Sequence, residues 1–268
     1  MDLVHAIVLG LLQGLTEFLP VSSSAHLSLA PWAFGWADPG LAFDVALHFG
    51  TLVAVLWYFR VEWRVLGVAV IDILRTRRID APEKRRVVHL IIATIPGGLA
   101  GLAFKDKAET VFRAPALTAT ALIVLGTLLW AVDRWRTQER PLASVRWTDA
   151  LLIGCAQMFA IIPGVSRSGS TITAARALTL DRQSAAVFSF LMSMPITAAA
   201  VVHELPKAVR DAGGLSLPLV VGVLTAGLSS WLAISVLLRY VSRHSYGIFA
   251  AYRWVVGLAV FALIALRG

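Results

Sequence analysis

Two Ser-rich, Pro-broken stretches carry the residues of this chain best suited to chemistry. The first runs Gln13-Gly14-Leu15-Thr16-Glu17-Phe18-Leu19-Pro20-Val21-Ser22-Ser23-Ser24-Ala25-His26, and the second runs Pro163-Gly164-Val165-Ser166-Arg167-Ser168-Gly169-Ser170-Thr171. Gln13 and Glu17 are spaced i,i+4, which puts both on one helical face. Pro20 stops that helix, because the residue before proline avoids the α region. The Ser22-Ser23-Ser24 run then supplies N-cap oxygens for a next short helix. A helix N-terminus presents free N–H groups and a partial positive charge, which together receive an anion, and His26 falls in its first turn. The second stretch repeats the device. Pro163-Gly164 breaks the chain, Ser166 and Ser168 can cap the helix that follows, and Arg167 adds a two-donor fork suited to phosphate. Two anion-receiving helix ends with a carboxylate and an imidazole point to phosphoryl chemistry.

The surroundings of these residues are apolar, which makes their presence costly. Of 268 residues, 58% are hydrophobic and 15% charged, with a mean hydropathy of +0.76, whereas soluble domains run nearer half and a quarter. A charged side chain at the centre of a bilayer costs about 2.5–3.5 kcal/mol, so such residues are functional candidates by default. Apolar runs of spanning length are predicted at 41–59, 87–104, 114–132, 184–203, 215–238 and 246–266. Shorter stretches at 3–19 and 25–34, and again at 147–162 and 171–180, flank the two Ser-rich segments. Broken backbone at membrane depth must face protein or a cavity, so these four are read as paired half-helices that enter and leave on one side. The expected fold is an all-α multi-pass membrane protein of six transmembrane helices and two re-entrant helix pairs.

The formal charge of +8 is sorted by side rather than gathered into a nucleic-acid patch. Loops 60–86, 134–149 and 239–245 hold 14 basic residues, against five in the alternate loops 105–113 and 204–214. The positive-inside rule assigns the first set to the cytoplasm, and residues 61–74 are amphipathic enough to lie along the interface. The first broken hairpin then enters from outside and the second from inside. Opposite entry marks an inverted-topology duplication with its site near the midplane, here as repeats of about 1–133 and 147–268 within one integral membrane domain. A shift of 144 residues aligns Gly10 with Gly154, Gln13 with Gln157, Val21 with Val165, Ser22 with Ser166 and Ser24 with Ser168. It also sets Glu17 against Ile161, Ser23 against Arg167 and His26 against Ser170. One half offers acid and imidazole, the other a fixed cation.

Other residues read more blandly. The N-terminus lacks the basic region of a cleavable signal, the lone Cys155 has no disulfide partner, and no Cys/His spacing suggests zinc. Asp44 and His48, one turn apart, are read as a mid-span polar pair facing the bundle in preference to metal ligands. Arg253 and His203, near span ends, are expected to snorkel or pair. Pro96-Gly97-Gly98 and Pro195 are expected to be kinks that let helices approach.

Over essentially its whole length the chain resembles the bacterial undecaprenyl pyrophosphate phosphatases, the BacA-type enzymes. Gln13, Glu17, Pro20, Ser22, Ser23, Ser24 and His26 follow the family's first signature, Pro163 to Gly169 its second, and Phe43 to Thr51 an intervening one. The resemblance implies hydrolysis of undecaprenyl diphosphate to the monophosphate, recycling the lipid carrier of cell-wall sugars in the bacterial inner membrane. It implies a site open to the outer side, membrane lipid and a polyprenyl diphosphate as partners, a homodimer as the candidate assembly, and a divalent cation, Mg2+ or Ca2+. Carried over by position, Glu17 is the essential carboxylate, as metal ligand or base, and Gln13 its companion metal ligand where many members carry Glu. Ser23 is the nucleophile, with His26 as the alternative nucleophile or an acid/base. Arg167 is the phosphate clamp, with Ser22, Ser24, Ser166, Ser168 and Gly169 lining the phosphate site. Inverted repeats with broken helices are also a transporter plan, so a polyprenyl-phosphate flippase is the rival. The other membrane phosphatase superfamily needs a His six residues after its Arg, where this chain has Thr173.

Overall fold

Each broken or apolar stretch becomes a helix whose ends follow from its own sequence. The structure, a computed structural model, describes residues 2–104, 111–211 and 214–267. Helix α1 (Leu3–Phe18) is capped by Asp2, which accepts from the His5 N–H at 2.8 Å, and it stops at Leu19 ahead of Pro20. Helix α2 (Ser23–Phe34) ends at Gly35, in the left-handed region, whose N–H donates to Pro31 O. Helix α3 (Gly40–Tyr58) meets α4 (Arg60–Thr76) in a bend of 84°. Helices α5 (Pro82–Ala103) and α6 (Pro115–Trp135) open on proline, where the missing N–H has no helical acceptor to lose. The second broken hairpin is α7 (Trp147–Met158), a 3-10 turn at Phe159–Ile161, and α8 (Arg167–Ala177). Helices α9 (Arg182–Asp211), α10 (Leu217–Val241) and α11 (Gly247–Arg267) complete the chain.

Helices α5, α6, α9, α10 and α11 are long and apolar enough to cross a membrane, and the bent α3–α4 pair makes a sixth candidate. The molecule is therefore an all-α, multi-pass membrane protein, with helix limits within about five residues of those expected except that α9 runs on past 203 to Asp211. Large apolar side chains such as Leu102, Leu228, Val255 and Leu266 face outward, as helices that are apolar all round require. Helix α4 buries Leu66 and Ala69 and exposes Val61, Val65, Val68, Ile71 and Leu74. Most of the 105–113 loop counted in the charge asymmetry lies outside the described residues, as do residues 212–213.

Helices α3 and α9 pack together centrally, with α10 against α3 and α5 against α9. Helix α1 packs on α10 and α7 on α5, while α6 pairs with α11. Both hairpin contacts are backbone-close. A Cβ on Gly10 would lie 2.5 Å from Gly222 O, and one on Gly154 would lie 2.5 Å from Ala93 O. The far end of the second hairpin is pinned by a buried ion cluster. Arg176 Nε and Arg182 Nε each lie 2.9 Å from Asp133 Oδ1, and the Tyr246 N–H donates to Oδ2 at 3.0 Å.

Candidate active site

The two hairpin tips are built on the same backbone device. Ser22 and Ser166 both sit at positive φ, 75° and 69°, in a region that non-glycine residues occupy only at a cost. Each is an N-cap: Ser22 Oγ accepts from the Ala25 N–H, and Ser166 Oγ accepts from the Gly169 N–H at 3.0 Å. In each tip the serine two residues on, Ser24 or Ser168, lies 3.2 Å away, Oγ to Oγ. The tips also touch. The Gly164 N–H donates to Ser22 Oγ at 3.0 Å, and Ser168 Oγ donates to Leu19 O at 3.1 Å.

Arg253 of α11 locks the two tips to one another. Its side chain is fully buried, and among the described residues no carboxylate pairs with it. The guanidinium instead donates to Pro20 O at 3.2 Å, Gly164 O at 2.7 Å, Val165 O at 3.1 Å and Leu122 O at 3.1 Å. The expectation of a snorkelling or paired arginine is therefore corrected: Arg253 sits six residues inside α11, about 9 Å along its axis, too deep to reach water. Gly169 belongs to this contact, since a Cβ there would meet Arg253 Nη1 at 2.7 Å.

Glu17 is the hub of the site. Its Oε1 accepts from Arg167 Nη2 at 2.5 Å, so the carboxylate of one hairpin pairs with the cation of the other across 150 residues. Its Oε2 accepts from Ser23 Oγ at 2.5 Å and from Gln13 Nε2 at 3.1 Å. His48 Nε2 lies 3.4 Å from the same oxygen. The ring is held by Nδ1, 2.7 Å from Asp44 O; a carbonyl only accepts, so Nδ1 carries the proton. The expected Asp44–His48 pair is thus split: His48 turns to Glu17, and Asp44 is bound by Arg113 Nη2 at 2.7 Å. The sequence signal for His48 was its one-turn spacing from Asp44, which told of a shared face but not of Glu17 beyond it.

Glu17, Ser22, Ser23, Ser24, Ser166 and Arg167 line one cavity of about 310 Å3, joined by His48 and Gln157. Four site residues expected from sequence stand outside that wall. Ser168 and Gly169 serve the tip contacts just described. His26 has both ring nitrogens engaged: Nδ1 lies 2.7 Å from Ser22 O and Nε2 lies 2.7 Å from Tyr252 Oη. Because the carbonyl only accepts, Nδ1 donates to it, and with Nε2 hydrogen-bonded to Tyr252 the ring serves as a strut. Gln13 is fully buried behind Glu17, with its amide oxygen unpartnered.

Residues 6–259 match the family described as bacitracin resistance protein BacA. The chain belongs to the BacA family. It is 61% identical over 267 residues to the undecaprenyl-diphosphatase of Gemmatimonas aurantiaca, with all of both chains covered. It is 47% identical to that of Desulforudis audaxviator, again with all of both covered, and 46% identical to that of Pelotomaculum thermopropionicum, covering all of this chain and 98% of the other. In this BacA-family chain the match spans both tips, the cavity and the buried Arg253.

Proposed function

We propose that this protein hydrolyses undecaprenyl diphosphate to undecaprenyl phosphate and phosphate, returning the lipid carrier to cell-wall synthesis. The single observation that carries the reading is the Glu17 carboxylate holding Arg167 and the Ser23 hydroxyl, each at 2.5 Å, in the wall of one cavity inside a membrane bundle. A hydroxyl needs an adjacent base to become a nucleophile, and Ser23 already donates to one. The engagement of His26 by Ser22 and Tyr252 favours Ser23 over His26 for that role. Ser23 Oγ forms a bond to the terminal phosphorus as Glu17 takes its proton, and the bridging P–O bond breaks to free the lipid monophosphate. Water then cleaves the phosphoserine, one of its protons passing to Ser23 Oγ, and the proton held by Glu17 is released. Arg167 turns from Glu17 toward the phosphoryl oxygens, offsetting their charge where such stabilisation is usually the largest catalytic contribution.

Among the described residues no three His, Cys, Asp or Glu side chains gather as a metal site. Glu17, whose carboxylate lines the cavity, would hold a hard cation that arrives largely coordinated by the diphosphate itself, with Gln13 buried behind it and donating to that carboxylate. Mg2+ or Ca2+ held there would supply neutralisation of phosphoryl charge. The sequence halves 1–133 and 147–268 are read as inverted repeats, supported by the matched caps of Ser22 and Ser166 and the matched packing of Gly10 and Gly154. The charge asymmetry of the loops supports an orientation with loops 60–86, 134–149 and 239–245 on the cytoplasmic side, and membership of the BacA family supports the bacterial inner membrane and a cavity open to the outer side. The deciding experiment is phosphate release from undecaprenyl diphosphate by purified protein. Glu17→Ala, Ser23→Ala and Arg167→Ala are each expected to lose about 10³-fold in kcat or more; full activity in Arg167→Ala would overturn the clamp. Lipid reorientation in vesicles without phosphate release, unaffected by Glu17→Ala, would favour a flippase instead.

A further inference from the structure

We infer that Gln157 is a substrate-binding residue, its side-chain amide hydrogen-bonding the diphosphate opposite Arg167. The inference rests on the phosphatase reading above and extends it to a residue of the second hairpin. Gln157 lies in α7, 3% exposed, and lines the same cavity as Glu17, Ser23 and Arg167. Among the described residues, its amide nitrogen and its amide oxygen are both buried without a partner, and so is Arg167 Nη1. Burying an amide with neither half hydrogen-bonded is costly, so an amide kept in such a wall has a partner that comes and goes.

The duplication explains why this amide is free. Gln13, its counterpart 144 residues earlier, spends its Nε2 on Glu17, four residues on. The residue four beyond Gln157 is Ile161, which lines the cavity and accepts nothing. Losing the carboxylate in the second half turned a buried internal donor into one available to a ligand. The fold also makes room for it. A Cβ on Gly97 of α5 would lie 2.3 Å from Gln157 Nε2 and 3.0 Å from its Cδ, so the glycine is the notch in which the amide rests. An amide is neutral and carries both a donor and an acceptor. It can donate to a phosphoryl oxygen through Nε2 without adding charge, and accept from a water or a protonated oxygen through Oε1.

The test uses the purified full chain in detergent micelles with undecaprenyl diphosphate. Gln157→Leu, close in shape but without polar atoms, is expected to raise KM about tenfold, with kcat within about threefold of wild type. Gly97→Ala changes no polar group and is expected to raise KM similarly by displacing the amide. On a Ser23→Ala background, which binds without turnover, Gln157→Leu is expected to weaken direct binding of the same lipid about tenfold. Should Gln157→Leu fail to fold, Gln157→Asn, which withdraws the amide by one methylene, reads the same shift. Wild-type KM and binding in the folded variants would overturn the inference, as would a lowered unfolding midpoint with KM unmoved, since that marks packing alone. A wild-type protein that binds the lipid but releases no phosphate would instead sink the phosphatase reading. Unchanged tight binding in that case, with and without Gln157→Leu, would dispose of both.

Discussion

The tips at residues 19–22 and 163–166 share a capping device and differ in what they carry. Both put a serine at positive φ, both use its hydroxyl as a helix cap, and both set a second serine 3.2 Å from the first. Both leading helices press a glycine against a carbonyl of a neighbouring helix. Three of the differences change the chemistry each tip offers. Glu17 stands where the other tip has Ile161, Ser23 where it has Arg167, and His26 where it has Ser170. The lesson is a division of labour. A strained turn that places a helix N-terminus inside the bundle occurs in both tips, while the side chains divide: a carboxylate and a hydroxyl come from the first hairpin and the cation from the second. Each half alone holds an incomplete site.

If that division holds, the register between tips matters as much as either tip, and Arg253 is where it is set. Its guanidinium reaches carbonyls of both tips and of α6, and a lysine presents three donors from one nitrogen and cannot span them. Arg253→Ala is expected to cost about 10²-fold in kcat, the scale of a misplacement remote from the reacting atoms, and Arg253→Lys about tenfold. Steady-state phosphate release measures both. Wild-type kcat in Arg253→Lys would show that the tips keep their register by contact alone.

A smaller effect separates His26 from Ser23 within the first tip. As a strut between Ser22 O and Tyr252, His26 orients the cap without touching the cavity. His26→Ala and Tyr252→Phe are each expected to lower kcat by less than about tenfold, the value of one or two ordinary hydrogen bonds. A His26→Ala loss as large as that of Ser23→Ala would return the ring to the reacting atoms.

Much of this arrangement was legible in the chain. Spans 87–104 and 215–238 read directly as α5 and α10 because lipid-facing helices are apolar all round, which leaves a long unbroken signal. Glu17, Ser23 and Arg167 were legible for the opposite reason, as polar residues that a bilayer penalises unless they act. What stayed hidden depended on contacts between distant elements. His48 showed its face but not that Glu17 lay across from it. Arg253, near a span end, reads as a residue that snorkels or pairs, and only the fold of α11 against α6 places carbonyls of two tips around it. His26 and Gly169 belong to motifs that also supply cavity-lining members, Ser23 and Arg167 among them, and motif membership alone does not distinguish a group in the wall from one supporting it.

The smallest expected difference is the most direct measure of how far the two tips are alike. Ser22→Ala and Ser166→Ala each remove an N-cap, worth about 1 kcal/mol, and each leaves an alanine at positive φ. Were the tips equivalent, the two variants would unfold together. They are not equivalent, because Ser22 Oγ also accepts the Gly164 N–H from the other tip at 3.0 Å, whereas Ser166 Oγ takes only the N–H of its own helix and the neighbouring hydroxyl. Ser22→Ala therefore strands a second buried donor, at a cost of about 1–3 kcal/mol, and is expected to be the less stable by that margin. Sodium dodecyl sulfate titration in mixed micelles gives the comparison. Glycine sharpens it further: Ser166→Gly loses the cap but relieves the positive φ, so it is expected to unfold closer to wild type than Ser166→Ala. Ser22→Gly still strands Gly164 and should recover only part of its loss. Equal stabilities for Ser22→Ala and Ser166→Ala would mean that the bond between tips contributes nothing, leaving Arg253 as the clamp between them.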